Sequence, residues 1–453
     1  MLKRPSRRTL WRNRMFRRLW AAQGVSVLGS RVTMFALPLT AATLLHASSL
    51  QMGLLGFAQF GPWLLVGIPA GVLVDRLNRT TVMVSCDVAR ALLVAAVPAT
   101  WLAGRLSYAL LLTVALSVGA LSVLFTVAYQ ATLPDLVSGA ELTHANSNLI
   151  SVEQTGALLG PGLAGTAVLL VGAPLTLIAD SASYLMSAWF LRRVRIPHTT
   201  PQAGGRSRIR HDLTAGWVTL WRLPLVRALT LAGGFGNLFG NQLNAVFVLF
   251  ALRTHHFSGL ALGVTFAFAS LGSLSGALAA PAVATRLGVG RCIVVSQLAA
   301  GPGMLLIALA GGGRLAANLT IAVGMFVWYA SWNVSGVHAV AIRHASVPKE
   351  MQGRVAGTAR FVSVGLGSLG LIIGGVAGGV IGYRAVIVIA SVGATLATIW
   401  VIAAGLWGLR ELTAERPASL GPSVPRQPES TRGSMEHVIA RHAQPSRQSS
   451  TDP

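Results

Sequence analysis

Five ionisable side chains stand inside otherwise apolar runs of this 453-residue sequence, and they are the residues with the clearest capacity for chemistry. They are Arg31, Asp87, Arg90, Glu153 and Asp180. A charge inside a bilayer is costly without a partner, so such groups usually mark a transport pathway or a proton relay. Burial favours the protonated carboxyl group, and a nearby arginine favours the ionised one. A carboxylate that moves between two such settings could therefore bind and release a proton.

Glu153 is the first choice for a proton-coupling residue, because it lies one turn from a glycine-rich stretch. Arg31 is its candidate partner, and a gate-stabilising ion pair is the alternative interpretation. Asp180 is equally compatible with proton coupling and with a structural, hydrogen-bonded acid. Asp87 and Arg90 have i,i+3 spacing, which favours a mutual ion pair over a role in carrying protons. Such a pair would extend a network of charged residues around Asp75.

Polar and aromatic side chains recur on several of the same runs and predict a ligand cavity. Asn237, Asn241 and Asn244 follow each other at i, i+4 and i+7, which places them on one helix face. The full set of predicted cavity residues is Gln23, Tyr129, Asn237, Asn241, Asn244, Trp328, Trp332 and Asn333. Amides beside aromatic rings suit a sizeable amphipathic ligand better than a sugar or a small ion. Hydrogen bonding between helices is the alternative explanation for each residue.

The elements that must position these groups are membrane helices. Hydrophobic residues make up 53% of the sequence and charged residues 11%, whereas a soluble domain carries about a quarter charged residues. A membrane span needs about 20 apolar residues. On that basis the predicted fold is an all-α polytopic membrane protein with twelve transmembrane helices, at residues 19–45, 50–74, 82–103, 107–131, 148–171, 174–191, 228–250, 259–284, 292–312, 315–341, 355–380 and 384–408.

The positive charge is distributed as expected for a membrane protein with both termini in the cytoplasm. The formal net charge is +23, but 30 of the 36 lysines and arginines fall in segments predicted to lie inside, and only four fall in outer loops. This bias follows the positive-inside rule. It predicts a basic cytoplasmic N-terminus (1–18), a cytoplasmic central loop (192–227) and a disordered cytoplasmic tail (409–453). Nucleic acid is not an expected partner.

An internal repeat divides the spans into two groups of six. A shift of 210 residues places Asp75-Arg76-Leu77 on Thr285-Arg286-Leu287, Gly160 on Gly370, and Gly165 on Gly375. Parallel repeats of six helices joined by a long inner loop are typical of two-lobed transporters. The predicted lobes are residues 19–191 and 228–408.

Motifs for catalysis or cofactor binding are missing from the sequence. It contains no HExxH and no GxSxG, its apolar runs hold no paired acids at helical spacing, and its two cysteines cannot form a disulfide framework. We therefore expect no enzyme activity, no metal site and no cofactor. A membrane-embedded enzyme and a non-transporting sensor are the less favoured classes.

One loop motif and several shorter stretches resemble a known family. The segment Gly71-Val-Leu-Val-Asp75-Arg76-Leu-Asn-Arg79 resembles the G-x-x-x-D-R-x-x-R loop of the major facilitator superfamily. Other stretches resemble its drug and siderophore exporters, which include the enterobactin and macrolide efflux proteins; they are Phe16-Arg-Arg-Leu-Trp20, Pro134-Asp135, Gly160-Pro161 and Gly353-Arg354-Val355. The resemblance implies twelve helices in two lobes around a central cavity, working by alternating access.

The resemblance also implies a gate. Asp75 would meet the start of the eleventh helix near Arg354, while Arg76 and Arg79 brace the loop; ordinary topology-setting charge is the alternative. The predicted gate residues are Gly71, Asp75, Arg76, Arg79, Asp87, Arg90 and Arg354. A glycine motif in the fifth helix resembles the antiporter signature of proton-coupled exporters, and it comprises Gly156, Gly160, Pro161 and Gly165.

The expected function is secondary active transport, most readily proton-coupled efflux of a drug-like, antibiotic or siderophore-like small molecule. The alternative is a facilitator or symporter that imports a small metabolite, which the same fold permits. The expected location is the bacterial inner membrane, and the expected partners are the lipid bilayer, a small-molecule substrate and protons. The protein is expected to be a monomer.

Overall fold

The computed structural model describes residues 7–137, 139–194, 206–348 and 351–409, and none of these residues forms a strand. In chain order the helices are α1 (Arg7–Arg12), α2 (Arg14–Leu44), α3 (Ser49–Phe60), α4 (Pro62–Arg76), α5 (Arg79–Leu102), α6 (Tyr108–Leu136), α7 (Gly139–Val171), α8 (Ala173–Leu191), α9 (Arg206–Arg222), α10 (Pro224–Leu249), α11 (Gly259–Leu287), α12 (Val289–Leu309), α13 (Arg314–Ser346), α14 (Gln352–Val380), α15 (Tyr383–Leu396) and α16 (Ile399–Ala403). A π-helical turn, Phe250–Thr254, continues α10.

Nine helical segments among the described residues are long and apolar enough to cross a bilayer. A tenth is α7, if its two parts, His144–Ala157 and Gly162–Val171, are counted as one span bent by 43°. Two further predicted spans coincide with the pair α3–α4, which is interrupted at Gly61, and with α8. The predicted all-helical polytopic fold is therefore confirmed, and these helices are consistent with a count of twelve.

One helix lies in the stretch that the sequence pattern assigned to a hydrophilic loop. Helix α9 packs against α14, and a Cβ atom on Gly216 would come within 2.8 Å of the backbone oxygen of Arg354. Trp217 and Trp221 of α9 are 44% and 40% exposed. Indole side chains favour the boundary between lipid and water, which suits a helix lying along the membrane surface. The predicted tail from residue 410 onward lies outside the described residues.

Local signals explain where the helices begin. The side chain of Asn13 accepts hydrogen bonds from the first turn of α2, and Asn78 does the same for α5. Ser48 and Gln51 form a capping box at the start of α3. These contacts satisfy backbone N–H groups that have no partner within the helix.

The 210-residue repeat reappears in the backbone geometry of the two halves of the chain. Several matched features lie 210 residues apart: the positive φ angles of His46 (48°) and His256 (52°), the positive φ angles of Gly172 and Gly382 (83° each), and the 2.8 Å hydrogen bonds from Ser181 to the oxygen of Ala91 and from Ser391 to the oxygen of Gly301. The serine bonds join α8 to α5 and α15 to α12, so each half uses the same contact between equivalent helices.

Small residues allow helices of the two halves to touch through their backbones. A Cβ atom on Gly53 of α3 would lie 2.4 Å from the backbone oxygen of Leu371 in α14. A Cβ atom on Gly165 of α7 would lie 2.6 Å from the Cα atom of Gly263 in α11. Close approach through glycine is a common way for membrane helices to associate, because lipid provides no hydrophobic force between them.

We expect Gly172→Ala and Gly382→Ala to lower the free energy of unfolding by similar amounts, about 1–3 kcal/mol each, because φ near +83° is strained for any residue with a Cβ atom. Thermal unfolding of the purified protein in detergent measures the effect. Gly379→Ala is the matched control, since a Cβ atom there would have no neighbour within 4 Å. An equal loss in the control would show that the repeated backbone geometry is not the cause.

Candidate functional site

A central cavity of about 280 Å³ lies between helices of the two halves. Its walls come from equivalent positions of the repeat: Arg31, Met34, Phe35, Pro38, Met52, Gly56, Gln59 and Phe60 in the first half, and Asn241, Asn244, Ala245, Val248, Leu262, Phe266, Ala269 and Ser270 in the second half. Each residue of the second group stands 210 positions after its counterpart in the first. Helices α2 and α3 therefore face α10 and α11 across a pseudo-two-fold axis.

Arg31 is the one charged side chain among the described residues that line this cavity. Its counterpart, Asn241, is neutral. The aliphatic stem of Arg31 packs on α7, where a Cβ atom on Gly160 would lie 2.4 Å from the Cβ atom of Arg31. Within the described residues, the Arg31 guanidinium forms no hydrogen bond and no ion pair at 4.0 Å or less. Gly160 of the predicted glycine motif thus lets the stem of Arg31 pack closely against α7 at the cavity wall.

A smaller cleft of about 130 Å³ lies beside the cavity, between α10 and α13. Gly236 and Gly240 make room for two indole rings, because Cβ atoms there would lie 2.5 Å from Trp332 and 3.0 Å from Trp328. The cleft and the cavity share three lining residues: Asn241, Asn244 and Tyr329. The Nδ2 of Asn244 donates to the Oδ1 of Asn241 at 3.2 Å. The two spaces are therefore adjacent: the cavity carries the Arg31 guanidinium, the cleft carries the indoles, and the two asparagines line both.

Five of the eight predicted cavity residues line these spaces. Asn241 and Asn244 line the cavity and the cleft, and Asn237, Trp328 and Trp332 line the cleft.

The other three predicted cavity residues line neither space. The Oε1 of Gln23 and the hydroxyl of Tyr129 are buried without a hydrogen-bond partner in the described structure. Asn333 donates to the backbone oxygen of Tyr329 at 3.1 Å, within its own helix.

Sequence reasoning missed the apolar and amide part of the lining. Met34, Phe35, Gln59 and Phe266 line the cavity but resemble ordinary helix residues in sequence. A lipid-facing phenylalanine and a cavity-facing one have the same local pattern. The repeat was the one sequence signal for these lining residues. Shifting Arg31 by 210 residues leads to Asn241, which lines the same cavity from the second half.

Asp87 and Arg90 form an ion pair inside the first half. Asp87 is 0% exposed and Arg90 is 3% exposed. The Arg90 guanidinium lies 4.4 Å from the ring centroids of both Phe125 and Tyr184. Neither charged residue lines the cavity or the cleft, so this pair joins α5 to α6 and α8.

Asp180 is buried beneath α2 and is satisfied by hydroxyl groups. Its carboxylate accepts hydrogen bonds from Thr33 and, at 3.0 Å, from Ser183. A Cβ atom on Gly29 would lie 2.4 Å from an Asp180 carboxylate oxygen, so this glycine lets α2 and α8 close over the acid. Asp180 is 0% exposed and does not line the cavity.

Glu153 differs from both buried acids because its side chain is exposed. It lies on α7 beside Gln154, which lines the cavity. Charge interactions connect Glu153 with Arg31 and Arg360. Glu153 is therefore an accessible carboxylate within electrostatic range of the cavity cation.

The structure describes the predicted gate in part. The side chain of Asp75 lies outside the described part of the structure, so its contact with Arg354 stays a prediction. Arg76 is exposed. Arg79 forms an ion pair with Asp135 and donates to the backbone oxygen of Ala131 at 2.7 Å, which ties the start of α5 to the end of α6.

The remaining residues of the predicted gate and of the glycine motif differ in how closely their neighbours approach them. A Cβ atom on Gly71 would have no neighbour within 4 Å, whereas one on Gly156 would lie 2.4 Å from Val27 of α2. The guanidinium of Arg354 lies 3.4 Å from the sulfur of Met351. The side chain of Pro161 lies outside the described part.

Arg253 links the two halves at one end of the space between them. From the π-helical turn after α10 it donates to the backbone oxygens of His46 (3.2 Å) and Ala47 (2.9 Å), which belong to the turn between α2 and α3. It also donates to the hydroxyl of Tyr383 at 3.1 Å. Burial lowers the pKa of the neighbouring His255 imidazole, and the nearby Arg384 acts in the same direction.

Metal-ligating side chains do not cluster in the part of the chain that the structure describes. No group of three or more His, Cys, Asp or Glu residues there could hold a metal ion. Cys86 and Cys292 are buried free thiols.

The sequence profile of the Major Facilitator Superfamily matches residues 19–369. The chain therefore belongs to this superfamily and is a multi-pass transporter that carries a small-molecule substrate across a lipid bilayer. It is 26% identical over 396 residues to the multidrug efflux pump Tap of Mycolicibacterium fortuitum, covering 85% of this chain and 93% of Tap. It is also 26% identical over 372 residues to the MFS-type transporter YfiS of Bacillus subtilis (strain 168), covering 79% of this chain and 85% of YfiS.

Solved structures share the fold at low sequence identity. A bacterial homologue of the iron transporter ferroportin, in its inward-facing state, superposes with a TM-score of 0.70 at 15% identity, over 89% of this chain and 99% of that one. A point mutant of the nucleoside transporter NupG gives a TM-score of 0.67 at 13% identity, over 86% of this chain and 99% of NupG.

We expect Arg253→Gln to loosen the closed end, because hydrogen bonds from a charged donor contribute about 1.5 kcal/mol or more, equivalent to about tenfold in the closed-to-open ratio. Gln59→Cys in a Cys86→Ala/Cys292→Ala background reports opening through its labelling rate with a membrane-impermeant maleimide. The reagent is added on the side of the α2–α3 turn. Arg314→Gln is the control, because Arg314 bonds the His256 oxygen within the second half. Equal labelling rates in both variants would contradict a seal by Arg253.

Proposed function

We propose that this protein exports amphipathic drug-like, antibiotic or siderophore-like molecules by proton-coupled alternating access. The observation that carries the proposal is the cavity between equivalent helices of the two halves, with aromatic, methionine and amide side chains around one cation. Such a lining suits a sizeable ligand with both apolar and polar faces. The similarity to the multidrug efflux pump Tap supports export.

The arrangement of contacts between the halves supports a mechanism of alternating access. The backbone contacts at Gly53 and Gly165 and the Arg253 bonds join the halves near one end of the helices. Glu153 and Gln154 are exposed farther along the helices, away from that end. Rocking of the halves about the cavity would open this end and close the opposite one, and so move the ligand across the membrane.

The proposed direction of transport depends on how the protein is oriented in the membrane. The positive-inside distribution supports cytoplasmic termini in a bacterial inner membrane, which makes the Arg253 end the outer one. In that orientation a cavity closed at the Arg253 end would receive its ligand from the cytoplasm, as an exporter requires. A monomer suffices for this cycle, since both halves belong to one chain.

Glu153 is the acid best placed to couple protons to this cycle. It is exposed, whereas Asp87 is paired with Arg90 and Asp180 is enclosed by hydroxyl groups. Movement of Arg31 toward or away from Glu153 would change how strongly the ionised carboxylate is favoured. Proton binding would then depend on which end of the cavity is open.

Import by a symporter or facilitator is the second candidate function. The shared fold with the nucleoside transporter NupG favours keeping it, although 13% identity shows the fold alone. Inverted membrane vesicles separate the two directions. Accumulation of a dye driven by an imposed proton gradient supports export, whereas gradient-driven loss from preloaded inverted vesicles supports import.

We expect Glu153→Gln to abolish proton-driven accumulation while leaving exchange of labelled for unlabelled ligand intact, because exchange needs no net proton movement. Both rates are measured in the same proteoliposomes. Glu141→Gln removes an acid from the same helix and is the matched control. Normal proton-driven accumulation in Glu153→Gln would rule out this residue as the coupling site.

We expect Asp75→Asn to slow transport at normal expression, because a neutral amide cannot form the latch implied for Asp75 near the start of α14. Asp75→Glu keeps the charge and is expected to retain more activity. Thiol labelling of Gln59→Cys from the cytoplasmic side follows the gate directly. Unchanged transport and unchanged labelling in Asp75→Asn would exclude the latch.

A further inference from the structure

The repeat makes the cavity symmetric in shape, but its charge is asymmetric. Helices α2 and α10 present equivalent positions to the same space, yet Arg31 stands where the second half has Asn241. The described lining contains no carboxylate to balance the guanidinium. We propose that the cavity selects an aromatic organic anion, held at Arg31, over a cation of the same size and shape. This inference rests on the proposed function, because it names the substrate class of that cavity.

The Arg31 guanidinium is available to a ligand. It forms no hydrogen bond or ion pair with the residues described, and its stem is held against Gly160. A guanidinium presents a planar fork of donors that matches the two oxygens of a carboxylate. Such charge-assisted hydrogen bonds are stronger than neutral ones, and more so where water is scarce. The free cation and its fixed stem therefore define an anion anchor.

A second anchor explains why the anion should be aromatic. The cleft that adjoins the cavity carries the indole rings of Trp328 and Trp332, with Asn237 beside them. Tyr329 lines both spaces. A ligand with a planar ring at one end and a negative group at the other could contact both anchors at once. Rings favour such aromatic surroundings, and amide side chains can bond polar groups on the ring edge.

A cationic ligand would meet unfavourable conditions in the same cavity. Arg31 would repel it at short range, where the low dielectric of a membrane protein strengthens the interaction. Glu153 is the acid near Arg31, but it lies outside the lining and forms no ion pair with Arg31 at 4.0 Å or less. The charge balance of the described lining therefore favours anions.

A matched pair of dyes tests the preference directly. Fluorescein and rhodamine 123 share a xanthene skeleton, but the first is an anion and the second a cation at pH 7.5. Their dissociation constants are measured by fluorescence anisotropy with the full chain in lipid nanodiscs, against empty nanodiscs at the same salt concentration. We expect fluorescein to bind about tenfold more tightly, the ratio given by one charged hydrogen bond.

Variants assign the preference to Arg31. We expect Arg31→Gln to remove it and Arg31→Lys to retain part of it. Asn241→Asp, nearly isosteric, places a carboxylate at the equivalent position and should weaken fluorescein binding about tenfold while strengthening rhodamine 123 binding. Arg105→Gln removes one positive charge from an exposed turn and should leave both constants unchanged. Gel filtration of each variant verifies its fold.

Three results would overturn the proposal: equal or tighter binding of rhodamine 123 by the wild type, a fluorescein preference that survives in folded Arg31→Gln, or no binding of either dye above empty nanodiscs. Binding requires no turnover, so it is independent of the transport proposal. Loss of proton-driven transport with an intact dye preference would refute only the exporter. Proton-driven transport without the dye preference would refute only the anion anchor.

Discussion

A lipid bilayer cannot hydrogen-bond to a protein, and the rest of this structure depends on that constraint. Each backbone polar group must find a partner inside the chain, so the described spanning segments are helices. Helices gain little from burying apolar surface in lipid and associate through close packing, which small residues such as Gly53 and Gly165 permit. Polar side chains consequently gather on the faces between helices, and the central cavity lies where those faces do not meet.

The same constraint requires each ionisable group inside the membrane to have a partner, and the groups differ in the partners they have. Asp87 and Arg90 neutralise each other inside the first half, and hydroxyl groups surround Asp180. Such contacts stabilise one packing arrangement of the helices in the first half. Arg31 has no comparable partner among the described residues, and Glu153 is exposed. Arg31 lines the cavity and Glu153 lies beside it, so a ligand, water or a proton could complete their interactions.

The repeated helices of the two halves give the site its shape, and the residues that differ between equivalent positions give it its chemistry. Eight pairs of equivalent positions line the cavity, so the two halves build matching walls. A perfectly symmetric cavity would bind a ligand in two equivalent orientations. Arg31 opposite Asn241, and the indoles of Trp328 and Trp332 on the second half alone, remove that equivalence. A ligand with distinct ends therefore has one preferred orientation.

The sequence alone was enough to predict the helical membrane fold, the repeat and the shared helix face of Asn237, Asn241 and Asn244, because hydropathy, duplication and helical spacing are local properties of the chain. It could not tell Asp180 from Glu153, since both are single acids in apolar runs. Only the packing of α2 on α8 shows that Asp180 is enclosed. It also could not identify Met34 or Phe266 as lining residues, because an apolar side chain looks the same toward lipid or toward a cavity. Those assignments depend on which helix faces meet, which is decided by contacts between residues far apart in the chain.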